Sequence, residues 1–342
     1  MTDVLPEFPN LTQLRRQAKE LLRKVRAGDT AATGELATFS DRVDLSAAQL
    51  TLARRYGLGS WLRLKQEVER KNAIHHGDVD GLRRLVRRFP ALASEPVSSC
   101  FSNDSALGYL GVARFHGVSD HTRAGEIAKV LLAAGGGVDG PADAAEPPLV
   151  TAASYGEVDM AQTLIAAGAD LEVTGFAVPG GTALAHAVEF GNTGVVDVLA
   201  AAGAVVHGVV EAAGVGNLDA YVPSEIPIAS RALAARAAAV CERLDVLDQL
   251  ITSGVPVDAD PDTGDPDGSR TLLHEAAFWG KPRSVERLVA LGADPNRQDA
   301  EHHSTPLGWC LHRLTEITGF GSHIIAGHLL VQRILEPITK SE

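Results

Sequence analysis

The sequence predicts an all-α chain, a solenoid of about eight helix-turn-helix repeats behind a helical N-terminal cap. Three observations predict it. Glycine recurs at a spacing of twelve residues at the ends of helix-like runs, in Gly156 and Gly168, Gly191 and Gly203, and Gly280 and Gly292. Between the paired glycines, apolar residues stand three and four apart, as in Val158, Ala161, Leu164 and Ile165. Ahead of them, small residues (Ala152 and Ala153, Ala187, Ala276 and Ala277) let one helix lie close to its neighbour. One such unit cannot bury its own apolar stripe, whereas stacked copies can.

Residues 1–70 lack this grammar and read as the cap. Leu11 to Ala27 carries a helical stripe at Leu14, Ala18, Leu21 and Leu22. Ser46 to Tyr56 and Trp61 to Val68 read as two more helices, the second opened by Ser60. Repeats occupy 71–335, and 336–342 is a tail. In order they are Ala73 to Ala93, Leu107 to Val138, the segments from Pro148 and Thr182, Val209 to Tyr221, Ala232 to Asp258, and the segments from Thr271 and Thr305. Four irregularities interrupt them. Arg114 to Ala124 separates two helices, Pro223 cuts one short before a new helix near Ile226, and Asp260 to Ser269 and Phe320 to Gly327 lengthen connections.

The segments PLVTAASYGEVDMAQTLIAAGAD from Pro148, TALAHAVEFGNTGVVDVLAAAGA from Thr182 and TLLHEAAFWGKPRSVERLVALGAD from Thr271 closely resemble the ankyrin repeat family, as does Thr305-Pro306-Leu307. The resemblance spans roughly 71–335. It implies a β-turn and two antiparallel helices per repeat, with a concave groove where partners bind. It also gives His274 a structural role, hydrogen-bonding between adjacent turns. It implies no particular chemistry.

Composition narrows the function. The 342 residues carry a net charge of −12. Residues 1–90 hold 17 Lys and Arg against 11 Asp and Glu, a net of +6, and the remainder holds 14 against 32, a net of −18. The basic end includes Arg15, Arg16, Lys19, Arg23 and Lys24, without interleaved aromatics or a DNA-binding motif, so no nucleic-acid partner is expected. No run of 18 apolar residues and no signal-like N-terminus appears, so a cytoplasmic setting without a membrane span is expected. Cys100, Cys241 and Cys310 are few and scattered, which fits buried thiols in a reducing compartment.

Helical register selects candidate groove residues. Positions three and four apart join Thr151, Ser154 and Tyr155; His186, Glu189 and Phe190; and Glu275, Phe278 and Trp279. The same register adds His75 and His76, Tyr109, Glu211, and Trp309, His312 and Arg313. Tyr155, Phe190 and Trp279 share one position in three repeats, as anchors for a bound surface would, or as an extra core under the inserted loops. The expected function is non-enzymatic recognition of a protein or peptide in this groove. The alternative is a small-molecule pocket with acid-base chemistry by His186, Glu189, Glu211, Glu275 and Tyr109. No cofactor or metal is expected. Asp258, Asp260 and Asp262 alternate as in a calcium loop, but Gly264 falls one residue late and Ser269 stands where a bidentate Glu belongs.

Overall fold

A computed structural model describes residues 3–98, 105–113, 123–142, 146–178, 181–268, 270–317 and 322–340. Among them, 18 α-helices form and no strand does; a single antiparallel bridge joins Thr174 and Thr182. The all-α expectation holds. The helices fall into two compact units, an N-terminal one over 1–110 and 122–141 and a C-terminal one over the rest.

The N-terminal unit holds α1 (Leu11–Arg26), α2 (Thr30–Ala37), α3 (Leu45–Arg55), α4 (Trp61–His75), α5 (Val79–Arg88), the first turn of α6 (Ala106–Ala113) and α7 (Ala124–Ala133). Five of these helices open on a side chain that accepts a backbone N–H three residues on: Asn10, Asp29, Asp44, Ser60 and Asp78. The predicted stripe of α1 is buried at Leu14, Ala18, Leu21 and Leu22, against Leu52, Leu64 and Val68 on one side and Leu36 and Ala48 on the other. Sequence reading missed α2, whose eight residues carry no helical stripe. The boundary expected at residue 70 falls inside α4, which runs through it to His75 as one helix.

That boundary is a buried ionic cluster. Arg70, fully buried, donates to the carbonyls of Leu92 (2.6 Å), Glu95 (2.9 Å) and Pro96 (2.7 Å) and pairs with Glu67 at 2.6 Å. Lys71 donates to Ser98 O at 2.9 Å, and Glu67 accepts from Ser98 N at 2.7 Å. Burial lowers the Arg70 pKa, and the Glu67 carboxylate opposes that shift.

The C-terminal unit is a stack of helix pairs: α8 (Pro148–Tyr155) with α9 (Val158–Ala166), α10 (Ala183–Glu189) with α11 (Thr193–Ala202), α13 (Ile228–Val240) with α14 (Leu244–Thr252), α15 (Leu272–Phe278) with α16 (Pro282–Ala290), and α17 (Pro306–Glu316) with α18 (Ser322–Leu335). The first helices of the pairs pack in sequence, and α12 (Val209–Val215) is wedged between α10 and α13 without a second helix of its own. The shortened second helix expected ahead of Pro223 does not form: residues 217–222 are non-helical, and Pro223 begins a short 3₁₀ turn before α13. The loops at 114–122, 269 and 318–321, and Cys100, lie outside the described residues. Cys241 and Cys310 are buried, and burial pushes their thiols up to about 11 and about 12.

Among the described residues, the turns within the first four pairs each hold a left-handed residue. Gly191 and Gly280 supply it at φ 62° and 63°, and a Cβ on Gly191 would stand 2.7 Å from Val240 O. Between α13 and α14 the same place is taken by Glu242 at φ 54°, whose carboxylate accepts from Arg283 N at 3.0 Å. The Asp260 carboxylate, expected either in a solvated turn or at a cation, is instead buried and accepts from Asp262 N (2.9 Å) and Arg270 N (3.3 Å).

Two outcomes follow from these contacts. Arg70→Ala takes from the buried Glu67 one of its two guanidinium partners, Arg63 being the other at 3.1 Å, and removes the donor to three carbonyls, so urea unfolding of the full chain should show a loss of about 3–5 kcal/mol. Glu242→Gly should raise stability by about 0.5–1 kcal/mol in the same assay, because the strain of the left-handed residue outweighs one exposed hydrogen bond.

Candidate functional site

Helices α10, α13, α15 and α17 and the turns just past α10 and α15 bring together an aromatic ladder and an ionic tie. Phe190, just past α10, meets Trp279, just past α15, edge-on at 5.9 Å. Trp279 meets Phe278 at 5.2 Å and 89°, Phe278 meets Trp309 at 5.8 Å and 75°, and Trp309 meets His274 at 5.2 Å and 67°. Phe190, Phe278, Trp279 and Trp309 are all half-buried. The Arg313 guanidinium lies 5.0 Å from the Phe278 ring and 5.9 Å from Trp279, and its Nη1 pairs with Glu316 at 2.8 Å.

The rings are fixed from behind. Trp309 Nε1 donates to Asp299 at 3.0 Å, and that carboxylate also accepts from the N–H groups of Glu301 (2.9 Å), His302 (2.6 Å) and Ser304 (2.9 Å). Burial would raise the Asp299 pKa, but these donors, led by His302 N–H, overcome it and hold the carboxyl at about 2. His274 is buried, and its Nε2–H donates to Ser304 O at 3.1 Å while Nδ1 accepts from Thr271 N at 3.2 Å. Desolvation lowers its pKa. The family resemblance anticipates this bond between adjacent turns.

Sequence reasoning missed Arg236. From α13 it donates Nη1 to Glu189 at 2.9 Å and Nε to Glu275 at 2.8 Å, joining three helices, and Arg270 pairs with the second Glu275 oxygen at 2.8 Å. Burial opposes its charge, but Glu275 and Glu189 hold its pKa above the ordinary value. The signal was present in register: Arg236 stands six residues before Glu242, as His274 stands six before Gly280.

Several expected groove residues lie elsewhere. His186 is fully buried, with Nδ1–H donating to Thr182 O at 2.9 Å and Nε2 accepting from Val178 N at 3.1 Å. With both nitrogens engaged, it clamps the 174–182 turn together with Glu146, which accepts from Phe176 and Ala177 N–H at 3.0 Å each. Tyr109 is also interior: in the N-terminal unit its hydroxyl donates to Glu7 at 2.6 Å and meets the buried His75, beside Lys71. Glu211, in the first turn of α12, accepts from His207 N at 2.7 Å. Glu275 is buried in its ion pairs. These groups therefore do not converge as an acid-base set. Ser154 and Tyr155 are half-buried, the Ser154 carbonyl accepts from Asn192 at 2.9 Å, and burial and Glu146 raise the Tyr155 phenol. His312 is exposed and pairs with Glu316 at 3.4 Å.

A cleft of about 550 Å³ lies between α4 and α5, lined among others by Glu69, His76, Arg84, Arg88 and Phe89. Of the expected groove residues, it holds only His76. Among the described residues no group of three or more His, Cys, Asp or Glu is placed to hold a metal ion, and no helix is long and apolar enough to cross a membrane.

Because Asp299 titrates lower in the folded chain than in the unfolded one, its contribution is full above about pH 4 and is lost as pH falls toward 2. Asp299→Ala should cost about 1.5–3 kcal/mol at pH 7 and much less at pH 2.5, measured by denaturant unfolding at both. An equal loss at both values would count against this assignment.

Comparison with known proteins agrees with this architecture. A family model described as ankyrin repeats in three copies matches residues 116–208, and the ankyrin repeat model matches 269–300. No curated protein matches the chain. Among solved structures, the human ASB11 ankyrin repeat domain is similar at 20% identity over 75% of this chain and 96% of that one, with a TM-score of 0.34, too low to bear on function. The chain thus carries ankyrin repeats over residues 116–208 and 269–300.

Proposed function

We propose that the chain recognises a protein or peptide on the face formed by Phe190, Phe278, Trp279, Trp309 and Arg313. Ankyrin repeats are generally protein-protein interaction modules. The observation that carries the reading here is the ladder itself: four large rings left only partly buried in a chain with only 5% aromatic residues. Rings held on one wall by Asp299 and by the Arg236 tie lose little freedom on binding, which favours them as anchors. Glu189 borders the ladder, and Ser154, Tyr155 and His312 extend the face along the repeats. Catalysis by His186, Glu189, Glu211, Glu275 and Tyr109 is not favoured, since most of these groups are committed to their own turns or ion pairs. The buried thiols suit a reducing, cytoplasmic setting.

The test compares the full-length protein with Trp279→Ala and with Phe190→Ala, each first checked by circular dichroism and melting. Proteins retained from an extract of the source cell are identified, and their affinity is measured directly. Each substitution should weaken binding at least tenfold with the fold intact, the size expected of a central anchor. Unchanged affinity in both would remove the face assignment.

A further inference from the structure

Resting on that reading, we infer that the partner of the aromatic face is a basic polypeptide segment, whose Arg or Lys side chains lie against the rings beside Arg313. Two observations carry this. The first is that the face already holds a cation: the Arg313 guanidinium sits at 5.0 Å and 5.9 Å from two ring centroids, within the distance at which a ring quadrupole attracts positive charge. The Phe190–Trp279 pair continues this ring surface beyond Arg313, with the Glu189 carboxylate, 43% exposed, at its border. Rings next to a carboxylate offer a guanidinium or ammonium both a face and a counter-charge.

The second is charge. Residues 142–342 hold 11 Lys and Arg against 27 Asp and Glu, a net of −16. At the face, the cations are already compensated: Arg236 by Glu189 and Glu275, Arg270 by Glu275 and Asp262, and Arg313 by Glu316. Four carboxylates thus stand against three guanidiniums. An incoming acidic segment meets repulsion from the region as a whole, and a basic one is steered toward it.

The experiment is selection of a random peptide display library on the immobilised full-length protein at 50 mM salt. Selected peptides are then synthesised and their affinities measured by fluorescence anisotropy. The selected set should be enriched in Arg and Lys. Its binding should weaken at least tenfold in Trp279→Ala, about fivefold in Glu189→Gln, and at least fivefold between 50 and 500 mM salt. Selected peptides that are acidic or purely apolar yet still lose binding in Trp279→Ala would overturn the basic partner and leave the face standing. Peptides that bind Trp279→Ala as well as the parent, or no enrichment at all, would overturn both.

Discussion

Short helices have a problem that long ones dilute: the last carbonyls of each have no partner within the helix, and in helices of seven or eight residues they are a large share of the backbone. The C-terminal unit meets this demand from the neighbouring repeat. Asn192 donates to Ala153 O at 2.7 Å, Arg243 to Gly214 O at 2.8 Å, Lys281 to Gly191 O at 2.5 Å, Ser284 to Ala239 O at 2.6 Å and His328 to Phe278 O at 2.8 Å. The chemistry varies while the geometry stays the same. Asn192, Arg243 and Lys281 directly follow left-handed turns, while Ser284 and His328 lie within α16 and α18, so spacing between helix pairs is set by hydrogen bonds as well as by apolar contact. Lys281 illustrates the cost, since burial lowers its pKa even though its ammonium is bonded.

The exposed face depends on that backbone arrangement. Once the helix ends are locked side by side, Arg236 can reach carboxylates on two helices, and Phe190 can meet Trp279 across the small residues of α13. The buried carboxylate of Glu275 is tolerated because two guanidiniums share it; with either removed, desolvation would outweigh attraction. Rigidity and recognition therefore have one source here. The Asp299 turn adds to it by orienting Trp309 through a charged acceptor.

The N-terminal unit uses another solution. Arg70, Lys71, Glu67 and Glu7 fill the interior where a repeat would place apolar side chains, and the first three bind segment 92–98, from the end of a 3₁₀ turn onward, through its carbonyls and N–H groups. That explains why Tyr109 and His75, which helical register sets on an outer face, lie inside. Glu7 supplies the phenol with a buried acceptor from a part of the chain about a hundred residues away, and register takes no account of such a contact.

Periodicity and composition alone determined the class of fold, the left-handed glycines and the aromatic positions Phe190, Trp279 and Trp309. These are local consequences of spacing and of which residues tolerate a positive φ. Only the tertiary structure decided which polar groups are free to act. His186 and His274 look alike as sequence, one residue apart in register, and both prove to be buried clamps on turns. Arg236 looks like an ordinary surface cation in an alanine-rich helix and proves to be a buried tie. The physical reason is that a polar side chain takes its role from whichever unsatisfied partner lies within hydrogen-bond reach, and those partners are contributed by segments distant in sequence.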